Sequence, residues 1–213
     1  QTCALPIFPP NLPIAKDDFT RLDEEYFRNV LRLYFNQLSQ LLNNVAGGIG
    51  GRYLQFPYAA IQRTTDVSFT ANTATQITFD QNDYLSGCAN DGTDGIEVSY
   101  EGIYNYQFSV QLRNADTQIH SAWIWLRKNG TDVSGTGSKF DVTSSHGGID
   151  GFVIAACNFF VDLAAGDTIE MWAAVSDTHI TFDAAGASTS PFAMPAIPSV
   201  VATLSFVSTP PVA

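Results

Sequence analysis

The chain has 213 residues, of which 45% are hydrophobic and only 15% charged: enough apolar material for one buried core plus an extension, and too apolar for a disordered tail. Its 21 acidic against 10 basic residues give a formal net charge of -11, which repels a phosphate backbone and argues against a nucleic-acid partner. No apolar run approaches the roughly 20 residues of a membrane-spanning helix, since the run from Phe152 to Cys157 is broken by Asn158 and Asp162, and no membrane insertion is expected.

Residues 1–7, Gln1-Thr-Cys-Ala-Leu-Pro-Ile7, match an in-frame translation of a common sequencing adapter and are set aside as foreign, so the true N-terminus is expected to be missing. A leader over 8–16 follows. Asp17 and Asp18 are placed to cap a helix over 17–46, because Phe19 to Val45 contains neither Gly nor Pro. Within it Phe27, Leu31, Tyr34, Leu38, Leu41 and Val45 are spaced alternately four and three apart, the pattern of a coiled-coil seam. Val30, Leu33 and Leu42 widen the stripe, which suits a three-stranded bundle; docking of one helix on its own domain is the alternative. Gly47-Gly48-Ile-Gly50-Gly51 ends the helix and opens a neck and linker over 47–64.

From 65 to 213 the period changes to two. Val67-Ser-Phe69, Ile77-Thr-Phe79, Ile96 to Tyr100 and Tyr104 to Val110 alternate as half-buried strands do. Trp123 to Leu126 and Phe152 to Ala156 are apolar on both faces, as expected of strands covered by a second sheet and by a further surface such as a neighbouring subunit. Thr168 to Val175 and Val200 to Val207 complete the set, while Ala184 to Pro198 reads as a long exposed loop. Turns are expected at Gly87 to Gly95, Asn129-Gly130, Gly135 to Gly137, Gly147-Gly148 and Gly166-Asp167. Many short strands without helices between them indicate an all-β sandwich or jelly roll.

Cys3, Cys88 and Cys157 are too few and too irregular for a disulfide framework; Cys157 is expected to be buried and free, and Cys88 to lie in a loop. No Gly-x-Ser-x-Gly elbow accompanies His120, His146 and His179, so no catalytic residue, cofactor or metal site is assigned. His120 and His179 belong to strand surfaces, and His146 to a loop able to touch a glycan or carboxylate. Asn90-Asp91-Gly92-Thr93-Asp94-Gly95 brings Asp91 and Asp94 into a glycine-rich turn, but the oxygen set falls short of a calcium loop and an ordinary turn is favoured. Asn129-Gly130 is a type I′ hairpin signal. Trp123 and Trp125 share one face of their strand, and packing in the core or at a subunit seam outweighs a sugar platform.

Gly102-Ile-Tyr-Asn-Tyr-Gln-Phe-Ser-Val-Gln-Leu112, Trp123-Ile-Trp-Leu-Arg-Lys-Asn-Gly130 and Leu163-Ala-Ala-Gly-Asp167 occur in the order found in C1q/TNF-like jelly rolls, which the chain resembles over residues 53 to 208. With Pro195-Ala-Ile-Pro-Ser-Val200, these motifs are most similar to a group of bacteriophage virion proteins. The resemblance implies a C1q/TNF-like jelly roll preceded by one long helix and assembled as a homotrimer. It implies a non-enzymatic tail- or head-fibre protein, located in the virion, that attaches to a host surface glycan or protein and meets other virion proteins through its N-terminal region. A capsid decoration or head-fibre protein without receptor binding is the alternative. In that family inner-sheet aromatics face the threefold axis, so Tyr104, Tyr106, Phe108, Trp123 and Trp125 join Phe27, Leu31, Tyr34, Leu38 and Leu41 as interface candidates.

Overall fold

The computed structural model describes residues 20–46, 56–90 and 95–209, in two units divided between Gln55 and Phe56. The first unit contains the helix α1 (Arg21–Ala46). Its N-cap is Thr20: the hydroxyl accepts from the Asp23 N–H at 3.3 Å, and the Asp23 carboxylate accepts from the Thr20 N–H at 3.1 Å. This reciprocal capping box satisfies two otherwise orphaned donors. Asp17 and Asp18, the expected caps, lie outside the described residues, as do the glycine neck, Asp91 and Asp94. Arg21 and Glu25 form an ion pair one turn apart on the exposed side. Phe27, Val30, Leu31, Tyr34, Leu38 and Leu41 form a half-buried stripe, while Leu22, Tyr26, Leu33, Phe35 and Leu42 are exposed.

The second unit is an antiparallel sandwich. Its strands are β1 (Tyr58–Arg63), β2 (Val67–Ser68), β3 (Thr75–Ile77), β4 (Gln81–Ser86), β5 (Cys88–Ala89), β6 (Ile96–Val98) and β7 (Gly102–Asn114). There follow β8 (His120–Lys128), β9 (Thr131–Asp132), β10 (Ser138–Val142), β11 (Gly151–Leu163), β12 (Thr168–Val175), β13 (Ile180–Phe182) and β14 (Val200–Ser208). One sheet runs β4-β1-β14-β7-β11, with β2 and β13 extending it at one end. The other runs β10-β8-β12-β6-β5, with β3 continuing the line of β6 beside β12. After β7 the chain crosses to β8 and β10, returns to β11, crosses to β12 and returns to β13 and β14. This is the winding of a jelly roll on a mainly β, antiparallel sandwich with one N-terminal helix.

The core is what period-two patterning dictates. Tyr104, Tyr106, Phe108, Val110 and Leu112 of β7 meet Ala122, Ile124, Leu126, Ile169, Met171 and Val175 from the opposite sheet. Two differences from the sequence reading concern the boundary and the turns. The sandwich begins at β1, inside the expected linker: Ala59 and Ile61 are buried against β14, and the two alanines of Tyr58-Ala-Ala-Ile conceal the alternation. The expected loop over 184–198 folds back on itself, with reciprocal backbone bonds between Ala185 and Ile197 and between Ser188 and Met194. The Asn129-Gly130 turn is as expected, with φ of 50° and 76° joining β8 to β9 in the type I′ form.

Candidate functional site: the outer face of the β7–β11 sheet

Alternation places Tyr104, Tyr106 and Phe108 on one face but does not say which. The other face of β7 carries Asn105, Gln107 and Ser109, so burial sends the aromatics inward. Tyr104 and Tyr106 are fully buried and Phe108 is 3% exposed, which corrects their assignment as interface residues. The Tyr104 hydroxyl donates to the Tyr100 carbonyl at 2.7 Å. The Tyr106 hydroxyl is buried with no hydrogen-bond partner among the described residues, and burial pushes its pKa upward.

The outer face takes its apolar character from β11 instead. This 13-residue strand forms a ladder with β7 from Gly151↔Asn114 to Leu163↔Gly102 and turns Phe152, Ile154 and Phe160 outward, with exposures of 54%, 64% and 65%. A long edge strand with large apolar side chains is a template for association. Beside it, Gln107, Ser109, Ala156, Asn158, Val201 and Thr203 line a shallow depression at the middle of the sheet. Gln111, Phe152, Ile154, Asp183, Ala185 and Ile197 line a second. Arg113 fixes its rim, bonding Asp150 at 2.6 Å and Asp183 at 3.1 Å; these two bonds push its pKa up, against a smaller opposing effect of burial. The sequence concealed this face because Phe152 to Ala156 is apolar at every position. Of that run only the partners across β7 decide that Ala155 enters the core while Phe152 and Ile154 do not.

Trp123 and Trp125 lie on the outer face of the other sheet, since Ile124 and Leu126 fill the core. Of the two placements expected for them, core or subunit seam, the core is thereby ruled out. Trp125 stands opposite Trp172, its indole N–H donating to Asp132 at 2.8 Å, and the Arg127 guanidinium lies 3.9 Å from the Trp172 ring centre. Lys139 stands 5.9 Å from the Trp123 ring. Cys88 is on β5, not in a loop, and burial pushes its thiol up to about 12; Cys157 is half-buried, with its sulfur 3.3 Å from the Ser138 hydroxyl.

His120 and His179, 59 positions apart in the sequence, are brought together with their rings stacked at 6.5 Å. Asp116 lies 2.7 Å from Nε2 of His120, and Asp177 lies 2.6 Å from Nδ1 of His179. The His120 bond is foremost in lowering the Asp116 pKa, the backbone N–H of His179 in lowering that of Asp177, and the Asp177 bond in raising that of His179. His146 takes no part; its backbone pairs with Ile149 across the Gly147-Gly148 turn. Neither aspartate was singled out from the sequence, because no short spacing links 116–120 with 177–179.

No family model matches the chain, and no curated protein matches it. Solved structures do resemble it. One is the crystal structure of murine APRIL at pH 5.0, similar to this chain with a TM-score of 0.46 and 14% identity, covering 71% of this chain and 100% of that one. The fold assignment rests on the strand order and winding described above.

Proposed function

We propose that the protein is a homotrimeric, non-enzymatic appendage of a bacteriophage virion, with the helix as a trimerising stalk and the sandwich as a knob that contributes to host-surface attachment. The observation that carries this reading is the apolar edge strand β11, whose Phe152, Ile154 and Phe160 remain uncovered in one chain. The biological setting is suggested by the resemblance of the ordered motifs to phage virion proteins. The apolar stripe from Phe27 to Leu41 gives the helix a matching reason to associate. Three copies would present identical loops, letting weak contacts to a surface glycan or protein combine through high effective concentration. The N-terminal region is then the place where other virion proteins join.

Light scattering during size-exclusion chromatography tests the assembly, with a mass of three chains expected. The labelled trimer is then mixed with host cells and with intact virions lacking the protein. Binding to cells supports attachment. Binding to virions alone would replace it with a decoration role, and a stable monomer would remove the trimeric reading.

A further inference from the structure

We propose that Asp116, His120 and His179 form a binding site for one divalent transition-metal ion of the zinc class, with Asp177 as the residue that orients His179. The ligand atoms offered by the first three all lie within 4.8 Å of one another. Tetrahedral zinc with bonds of about 2.1 Å needs ligand atoms roughly 3.4 Å apart. The cluster thus reaches a metal geometry through small side-chain rotations: the 2.7 Å Asp116–His120 contact opens and His179 closes in. His179 has the freedom to do so, its side chain being 55% exposed.

The surroundings hold the ligands in place. Asn114, fully buried at the end of β7, donates to the Gln118, Val142 and Thr143 carbonyls and accepts from the Asp116 N–H at 2.9 Å. The Ala115 N–H donates to the His179 carbonyl at 3.1 Å, and the Ser176 N–H donates to the Ser121 carbonyl at 2.9 Å. These bonds join the two ligand-bearing loops backbone to backbone. Asp177 occupies Nδ1 of His179 and leaves Nε2 for the ion, the carboxylate–histidine arrangement by which an outer partner fixes the tautomer and strengthens the ligand. Two imidazoles and one carboxylate favour zinc, cobalt or nickel over calcium or magnesium, which demand oxygen. The two carboxylates also balance the ion's double charge. Three protein ligands leave one position for water or a further donor.

The test uses the full chain without a polyhistidine tag. Zinc is titrated in competition with a chromogenic chelator, and cobalt is added separately for its visible spectrum. One zinc per chain is expected, undisturbed by excess calcium or magnesium, with a cobalt spectrum lacking a thiolate charge-transfer band. His179→Ala should abolish this saturable site, and Asp177→Asn should weaken it roughly 10–100-fold, the range for outer-shell partners. Both side chains are solvent-accessible, so folding, checked by circular dichroism, should persist; His146→Ala should bind as the parent does. Absence of saturable binding, full stoichiometry in His179→Ala, or a thiolate band would overturn the proposal. The titration reads the site whether the chain is monomeric or trimeric.

Discussion

Phe160→Asp separates the two ways of assigning aromatic residues to the subunit interface. At 65% exposure the Phe160 side chain leaves about 130 Å2 open, taking about 200 Å2 for a phenylalanine. Covering that area stabilises the contact by about 3 kcal/mol at ~25 cal/mol per Å2. In a threefold assembly the loss recurs at each of three equivalent contacts, about 9 kcal/mol per trimer, with the added like charges increasing it. The midpoint concentration for trimer formation varies with half of that energy, so it should rise roughly a thousandfold at 1.4 kcal/mol per tenfold step. Sedimentation equilibrium over a concentration series measures this directly. Because the ring touches solvent in the single chain, the thermal midpoint of the dissociated subunit should stay close to that of the parent. Phe108→Ala supplies the contrast: that ring is 3% exposed, and its loss should lower subunit stability by about 3–5 kcal/mol through the cavity it leaves. A Phe160→Asp protein that trimerises at the parental midpoint would refute the assignment of this face. So would a Phe108→Ala protein that dissociates with undiminished subunit stability.

Three further outcomes follow from local geometry. Tyr106→Phe removes a buried hydroxyl that has no partner among the described residues and should raise the urea midpoint by the equivalent of about 1 kcal/mol; a clear loss of stability would mean that the hydroxyl is satisfied in solution. Gly151→Ala should destabilise by several kcal/mol or prevent folding, since a Cβ there would lie 1.8 Å from the Thr143 carbonyl oxygen, a backbone atom that cannot turn aside; soluble expression with parental stability would contradict it. Asp80 is subject to burial, which raises its pKa, yet the Thr64 N–H at 2.8 Å, the Thr65 hydroxyl and Arg63 together hold it below the usual carboxylate range. Its contribution to stability is therefore fully present above about pH 4 and is lost as pH falls through the lowered value. Asp80→Asn should show a smaller loss of stability than the parent between pH 5 and pH 2, read from urea midpoints, and an unchanged acid slope would count against the contribution.

Period-two patterning at Val67–Phe69, Ile77–Phe79, Ile96–Tyr100 and Tyr104–Val110, with the glycine turns, was enough to indicate an all-β sandwich, because a strand with one apolar face has few ways to bury it. The helix was equally legible, from a long stretch free of Gly and Pro with an apolar stripe. Pairing was not. The alternation of β1 is faint in the sequence because one of its core positions, Ala59, is as small and apolar as its outward neighbour Ala60, and the 184–198 segment pairs through backbone bonds that Ala, Ser, Gly and Pro do not advertise. Alternation grouped Tyr104, Tyr106 and Phe108 on one face and Trp123 with Trp125 on another, but the direction of each face depends on which sheet lies opposite. Only the tertiary structure turned the tyrosines inward, turned both tryptophans outward and left β11 at an edge with Phe152, Ile154 and Phe160 uncovered. It also set His179 beside His120, since the β7–β13 ladder, Ile180↔Asn114, closes a distance along the chain that no local spacing records. Local periodicity is written residue by residue in the sequence, whereas the apolar edge and the Asp116–His120–His179 cluster depend on long-range pairing.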